Sequence, residues 1–228
     1  MCDVFSEAGY AVTGIDNTIP DSFPYPVIPF DIRQIPQFVK SAEKIRNKVL
    51  GLSGNRLEVL INNAAVQIIK PSDELTRCDW ASTLETNLLA PFWLTTLFLP
   101  ELKAAQGSVV NIGSIHAKLT KRQFVAYATS KGALETMTRA MALDLAPEVR
   151  VNAIASAATD TPMLRSGFDG KPEELVMLES FHPLGRIASP DEVGRLALFL
   201  AGQDASFITG AIMSIDGGIS GCLSDPAG

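Results

Sequence analysis

Residues Ser108–Lys131 read S-V-V-N-I-G-S-I-H-A-K-L-T-K-R-Q-F-V-A-Y-A-T-S-K. The stretch opens on a near-continuous apolar run, Ser108–Ile112, of the kind expected for a strand covered on both faces of a parallel sheet. Gly113-Ser114 ends the run. The segment Tyr127–Ala146 then carries Ala128, Leu134, Met137, Met141 and Leu145 on related faces, which predicts a helix. A buried strand, a polar loop and a long helix in that order make half of a βαβ unit.

The same alternation extends in both directions. Short apolar runs lie at Ala11–Asp16, Val27–Asp31, Leu57–Ile61, Val149–Ile154 and Ala211–Ile215. Helix-length patterns cover Ile35–Leu50, Asp79–Ala104 and the segment running to Ala201. Ser189 is a natural N-cap for that last segment, and Pro190 suits its first helical position. Asn17–Pro26, Thr159–Pro172 and Ser220–Gly228 read as loops or tail. Repeated strand–helix alternation without repeats or linkers predicts one α/β domain over residues 1–228, with a doubly wound, Rossmann-like parallel sheet. Ligands of such sheets bind beyond the carboxyl ends of the strands.

Composition narrows the function classes. The chain has 228 residues, 46% of them hydrophobic, enough for one sizeable core. Nineteen Lys+Arg against 25 Asp+Glu give a net charge of -6, with no basic stripe of the kind nucleic-acid binders carry. Lys118, Lys121 and Arg122 read as a solvated loop. Cys2, Cys78 and Cys222 are odd in number and far apart, which fits reduced thiols and a cytoplasmic location. His116 and His182 have no metal-type spacing. No signal peptide is evident. The most apolar window, Leu88–Pro100, is shorter than the roughly 20 residues a membrane span needs, so it reads as a buried helix.

The residues after each apolar run carry the chemistry. Asp16 can accept hydrogen bonds from ribose hydroxyls and would repel a 2′-phosphate. Asn17 beside it offers no positive charge, so NAD is favoured over NADP. A turn-forming Asp explains the same residue equally well. Asp31 can bond the amine of adenine or cap the following helix. Asn62-Asn63-Ala64-Ala65 can let a flat ring approach the backbone or can be a structural turn. Tyr127 and Lys131 are four residues apart and share a helical face. An ammonium beside a phenol lowers the phenol's pKa from about 10 towards the range useful for acid–base work. Ser114 ends a strand facing the same crevice and can donate to a carbonyl oxygen. Taken alone, the Tyr-x-x-x-Lys pair also reads as a surface tyrosine with a lysine nearby.

The set Asn62-Asn63-Ala64, Asn87, Ser114, Tyr127 and Lys131 resembles the classical short-chain dehydrogenase/reductase family. Pro183-Leu184-Gly185-Arg186 and Ile215-Asp216-Gly217-Gly218 are similar to its C-terminal signatures. The resemblance runs from about Val4 to Gly218. It implies that Tyr127 exchanges a proton with the substrate oxygen, and that Lys131 binds the nicotinamide ribose and tunes Tyr127. Ser114 would polarise the carbonyl, and Asn87 would hold a relay water behind Lys131. Asp16, Asp31, Asn63 and Ala64 would hold the adenosine half of NAD, and Thr159 and Thr161 its nicotinamide end. The implied substrate is a small secondary alcohol or ketone. Its pocket would be lined by Ile115, His116, Phe124, Val125, Met163, Leu164, Phe168 and Phe181. The implied assembly is a homodimer or homotetramer built on the long helices.

The sequence departs from the family pattern at three places. The family opens with a strand and a Gly-rich turn, whereas Cys2–Gly9 resembles the last turns of the helix that follows them. The expectation is an N-terminally truncated fold without that central strand, with unpaired backbone groups on its two neighbours. Unsatisfied buried groups cost about 1–3 kcal/mol each, against a domain stability of about 5–15 kcal/mol. The alternative to an enzyme is therefore a catalytically silent binding or partner subunit. Ala65 replaces a usual glycine, and Ser156-Ala157 replaces a usual Pro-Gly; neither change removes a catalytic group.

Overall fold

The structure, a computed structural model, describes residues 1–19, 22–35 and 39–223. The N-terminal end of the expected Ile35–Leu50 helix (36–38), two residues of the expected Asn17–Pro26 loop (20–21) and the tail beyond 223 lie outside the described residues. Six strands are described: β1 (Gly14–Asp16), β2 (Val27–Pro29), β3 (Val59–Asn62), β4 (Ser108–Ile112), β5 (Arg150–Ser156) and β6 (Ile212–Ile215). The helices are α1 (Cys2–Glu7), α2 (Val39–Leu52), α3 (Arg77–Leu84), α4 (Ala90–Leu97), α5 (Leu99–Ala104), α6 (Val125–Leu145), α7 (Pro162–Ser166), α8 (Pro172–Ser180) and α9 (Pro190–Ala201).

All strand pairs are parallel. β3, β4, β5 and β6 form one sheet in that order, and β1 and β2 form a second. Ser108 to Ile112 pair with Arg150 to Ile154, and Asn62 pairs with Asn111. Side chains alternate across the sheet with the period of two that a strand imposes. Val109 and Val151 enter one buried cluster with Ile45, Leu94 and Met141 of α2, α4 and α6 and with Phe98 between α4 and α5. Val110 and Ile154 enter a second with Phe5, Val193, Ala197 and Leu200 of α1 and α9. Helices therefore cover both faces, as the continuous apolar strands require.

The sheet is divided between β1 and β3, the two strands expected to flank the absent central strand. No ladder joins β1 to β3 among the described residues. A slot of about 560 Å³ lies between them, lined by Gly14–Asp16, Val59–Asn62, Phe5 and Phe98. Only one edge of each strand is paired there, in keeping with the expectation of unpaired backbone on both neighbours.

Two other differences have local causes. The apolar stretch expected as one helix over Asp79–Ala104 is broken into α3, a π-helical turn at Glu85–Leu89, α4 and α5. The expected Thr159–Pro172 loop contains α7, started by the Thr161 hydroxyl accepting from Leu164 N–H and by Pro162 at the first position. α9 begins as expected: Ser189 and Glu192 form a reciprocal capping box and Pro190 follows.

A buried polar chain ties β3, β4 and α6 together. Asn62 Nδ2 donates to Asn111 Oδ1 at 2.8 Å, Asn111 Nδ2 donates to Thr138 Oγ1 at 2.9 Å, and Thr138 Oγ1 donates to Leu134 O at 2.8 Å. Asn111→Ala should therefore leave buried amide and hydroxyl groups without partners, and should lower stability by about 1–3 kcal/mol in urea unfolding. An unchanged midpoint would show that this chain does not hold the strands to the helix.

Candidate active site

Ser114 stands just past the carboxyl end of β4. The preceding Gly113 passes so close to β5 that a Cβ there would lie 2.9 Å from Ile154 O, which restricts the position to glycine. Ser114 then turns the chain into a short 3-10 turn, Ile115–Ala117, its hydroxyl accepting from His116 N–H. Across the crevice, α6 begins at Val125 and places Tyr127 and Lys131 one turn apart on its inner face, at 8% and 2% exposure. Ser114, Tyr127 and Lys131 come together as expected. The Ser114 side chain is near enough to the Tyr127 phenol to favour its ionised form. Lys131 Nζ lies 5.7 Å from the centroid of the Tyr127 ring and donates to Ile112 O at 2.7 Å.

The electrostatics differ from the simple expectation of an acidified phenol. Burial raises the pKa of Tyr127 above its usual 10, and the nearby Ser114 side chain acts in the opposite direction. Burial also brings the Lys131 ammonium down to about 8. The physical reason is that both groups are desolvated together, and desolvation disfavours phenolate and ammonium alike.

Asn87 lies in the π-helical turn and is 1% exposed. Its Oδ1 accepts from Val66 N–H at 2.8 Å, and its Nδ2 donates to Val66 O at 2.9 Å and to Ser130 Oγ at 3.0 Å. Ser130 Oγ in turn donates to Tyr127 O at 2.7 Å. Asn87 thus clamps the first turns of α6, and its side chain is fully engaged in doing so. π-Turns inside helices recur at functional sites. Ser130 was not singled out from the sequence; its only signal is a small polar residue between the tyrosine and the lysine.

The residues expected around the adenosine half are divided. Asp16 ends β1, Asn63 and Ala64 follow β3, and all three line the same slot. Asp16 Oδ1 also accepts from Thr18 N–H at 2.9 Å, the turn-forming role anticipated for it. Asp31 is not among the slot residues. Its carboxylate caps a 3-10 turn and holds the Arg33 guanidinium through both oxygens, which also keeps its pKa below the usual range. Thr159 donates to Ala157 O at 3.2 Å and bridges to Ala188, while Thr161 caps α7. Of the expected substrate-pocket residues, Phe124 is 4% exposed whereas Phe181 is 56% exposed. Among the described residues, no group of three or more His, Cys, Asp or Glu could hold a metal ion. None of the described helices is long and apolar enough to cross a membrane.

Comparison with known proteins shows the family. A family model described as enoyl-(acyl carrier protein) reductase matches residues 5–220. Protein FixR of Bradyrhizobium diazoefficiens is 37% identical over 82% of this chain and 66% of its own. Cyclopentanol dehydrogenase of a Comamonas species is 36% identical over 72% of this chain and 66% of its own. The matched part of the chain thus spans just under two thirds of the length of these two relatives. The ligand-free structure of Thermoplasma acidophilum aldohexose dehydrogenase superposes with a TM-score of 0.92 at 27% identity, over 98% of this chain and 89% of that one. A structure described as ElxO with NADP bound superposes with a TM-score of 0.85 at 25% identity, over 96% and 92% of the two chains. The chain belongs to the short-chain dehydrogenase/reductase family.

The Lys131 value gives a pH signature. The folded-state pKa of about 8 lies below the usual 10.5, so the unfolded chain holds this proton to higher pH. Below about pH 8 both states are protonated and the cost of the buried ammonium is fully present. As pH rises from about 8 towards 10.5 that cost disappears, and Lys131 alone makes the native state more stable by roughly 3 kcal/mol. Urea unfolding of Lys131→Met should lack this rise relative to the unsubstituted chain; equal slopes would contradict the burial argument.

Proposed function

We propose that the chain is an oxidoreductase of CH–OH groups, moving a hydride between NAD(H) and a small secondary alcohol or ketone by a Ser–Tyr–Lys mechanism. The observation that carries this reading is the buried convergence of Ser114, Tyr127 and Lys131 just past the end of β4, with Lys131 Nζ 5.7 Å from the Tyr127 ring and bonded to Ile112 O. The cyclopentanol and aldohexose named for two relatives are both CH–OH compounds.

The residues suit a nicotinamide dinucleotide. Asp16, Asn63 and Ala64 stand at the carboxyl ends of β1 and β3 and are among the residues lining the slot. Asp16 lines it with a carboxylate suited to ribose hydroxyls, and Ala64 with a side chain small enough for close approach. Asp16 favours NAD, although the ElxO relative has NADP bound. Asp31 could reach adenine only by giving up Arg33. Thr159 and Thr161 lie on the connection after β5 and are assigned to the nicotinamide end.

When bound, the cofactor supplies or accepts the hydride. The protein manages the accompanying proton. In the reducing direction Tyr127, protonated at neutral pH, gives its phenolic proton to the carbonyl oxygen. Ser114 donates a hydrogen bond to that oxygen as charge builds on it. Lys131 then favours the phenolate that is left. Asn87 holds the helix turn that carries both; any relay water would meet its backbone, because its side-chain amide is occupied.

A catalytically silent partner subunit is the second reading, favoured by the unpaired edges of β1 and β3 along the slot. Exposed Leu89 in the π-helical turn and exposed Leu143 on α6 support self-association under either reading.

Turnover of a panel of cyclic alcohols and aldoses with NAD and with NADP tests the proposal. NAD should support the higher kcat/KM, and Tyr127→Phe should lower kcat by about 10²–10⁴-fold. Full activity in Tyr127→Phe would rule the mechanism out. A folded chain with no NADH binding would favour the silent subunit.

A further inference from the structure

The proton-transfer roles leave one ring beside Tyr127 unused. The His116 imidazole stacks on Phe124 with centroids 4.6 Å apart and planes 16° from parallel. It meets the Tyr127 ring edge to face at 5.9 Å, and Phe124 meets the same ring at 6.1 Å. His116 Nδ1 lies 3.2 Å from Thr120 Oγ1, and His116 N–H donates to Ser114 Oγ at 3.2 Å. Backbone and side chain are therefore both fixed. Phe124 and Tyr127 are buried, whereas His116 is half-buried, so the imidazole is the outermost ring of the three.

We propose that His116 is a positioning residue for Tyr127: its imidazole, held by Phe124 and Thr120, walls the phenol off from water, fixes the ring's rotation and sets the pH at which the phenolic proton leaves. The inference rests on the assignment of Tyr127 as the acid–base group.

The surrounding charges favour a wall over an electrostatic role. The charged and polar groups about the phenol are Lys131 from α6, Ser114 from the end of β4, and His116 itself from the 3-10 turn. Lys121, from the following loop, has its Nζ over the Phe124 ring at 4.7 Å. Burial, and then the charge of Lys121, bring His116 down to about 4. The imidazole is therefore neutral wherever the phenol titrates and adds no charge to it. What it contributes is excluded water, and desolvation raises a phenol's pKa. Two aromatic neighbours packed edge to face also restrict how the phenol can turn.

Titration of the tyrosines in the full chain by ultraviolet difference absorbance tests this, with Tyr127→Phe identifying the Tyr127 signal. His116→Ala should lower the Tyr127 midpoint by about 0.5–1 pH unit as water reaches the ring. His116→Phe keeps a flat ring on Phe124 and should leave the midpoint where it was. An unchanged midpoint in His116→Ala, or an equal shift in His116→Phe, overturns the proposal. Should His116→Ala fail to fold by circular dichroism, Phe124→Leu removes the stack beneath the imidazole; it should shift the midpoint downwards, and no shift overturns the proposal. The two assignments separate cleanly. A shifted midpoint with full turnover in Tyr127→Phe keeps the wall and removes the proton-transfer role. An unshifted midpoint with turnover lost in Tyr127→Phe does the reverse.

Discussion

The Lys131 ammonium donates to the carbonyl of Ile112 at 2.7 Å, and this bond joins the helix that carries Tyr127 to the strand end that carries Ser114. A buried cation is costly unless it is paired or hydrogen-bonded. Ile112 O offsets part of that cost, and it does so at one place only, two residues before Ser114. Tyr127 lies one turn earlier on the same helix face, so fixing Lys131 also fixes the phenol opposite the serine. The clamp from Asn87 through Ser130 to the carbonyl of Tyr127 holds the same turn from its other side. Ser114, Tyr127 and Lys131, the groups proposed to react, are thus set on a strand end and a helix that are tied to each other.

That arrangement depends on the sheet beneath it. β4 is buried on both faces, with Val109 facing α2, α4 and α6 and Val110 facing α1 and α9. The alternation leaves Asn111 on the same side as Val109, where it reaches Asn62 and Thr138 and adds a polar link to the apolar packing. The slot between β1 and β3 lies farther out. Its lining joins Asp16, Asn63 and Ala64, the residues proposed for the adenosine half, to the apolar walls of both clusters. The reactive groups draw on β3–β4–β5 and α6, whereas the slot draws on the boundary between the two sheets.

Much of this was legible in the sequence because it is local. Ser108–Ile112 is a strand with the expected bounds, since an apolar run closed by Gly113-Ser114 leaves little freedom. Ser189, Pro190 and Glu192 mark the start of α9 by capping chemistry alone. The Tyr127–Lys131 spacing puts both on one helix face without any tertiary information. What stayed hidden depends on long-range placement. The π-helical turn at Glu85–Leu89 lies within a stretch that is apolar throughout, so no periodic signal marks the break. Asp31 could be read towards adenine or as a cap, and only geometry shows both its oxygens on Arg33. The rise in the Tyr127 pKa follows from burial, which spacing does not report. The link from Asn111 to Thr138 joins residues 27 apart in sequence.

The central claim is that Ser114, Tyr127 and Lys131 act as one unit on a hydride-transfer reaction. The most direct test is label transfer to NAD from secondary alcohols deuterated at the carbon bearing the hydroxyl, read by mass spectrometry of the reduced cofactor. The account predicts deuterium on the nicotinamide with the unsubstituted chain, and none above the enzyme-free level when Ser114→Ala, Tyr127→Phe and Lys131→Met are combined in a chain that still folds. Deuterium transfer that survives the triple substitution would contradict it.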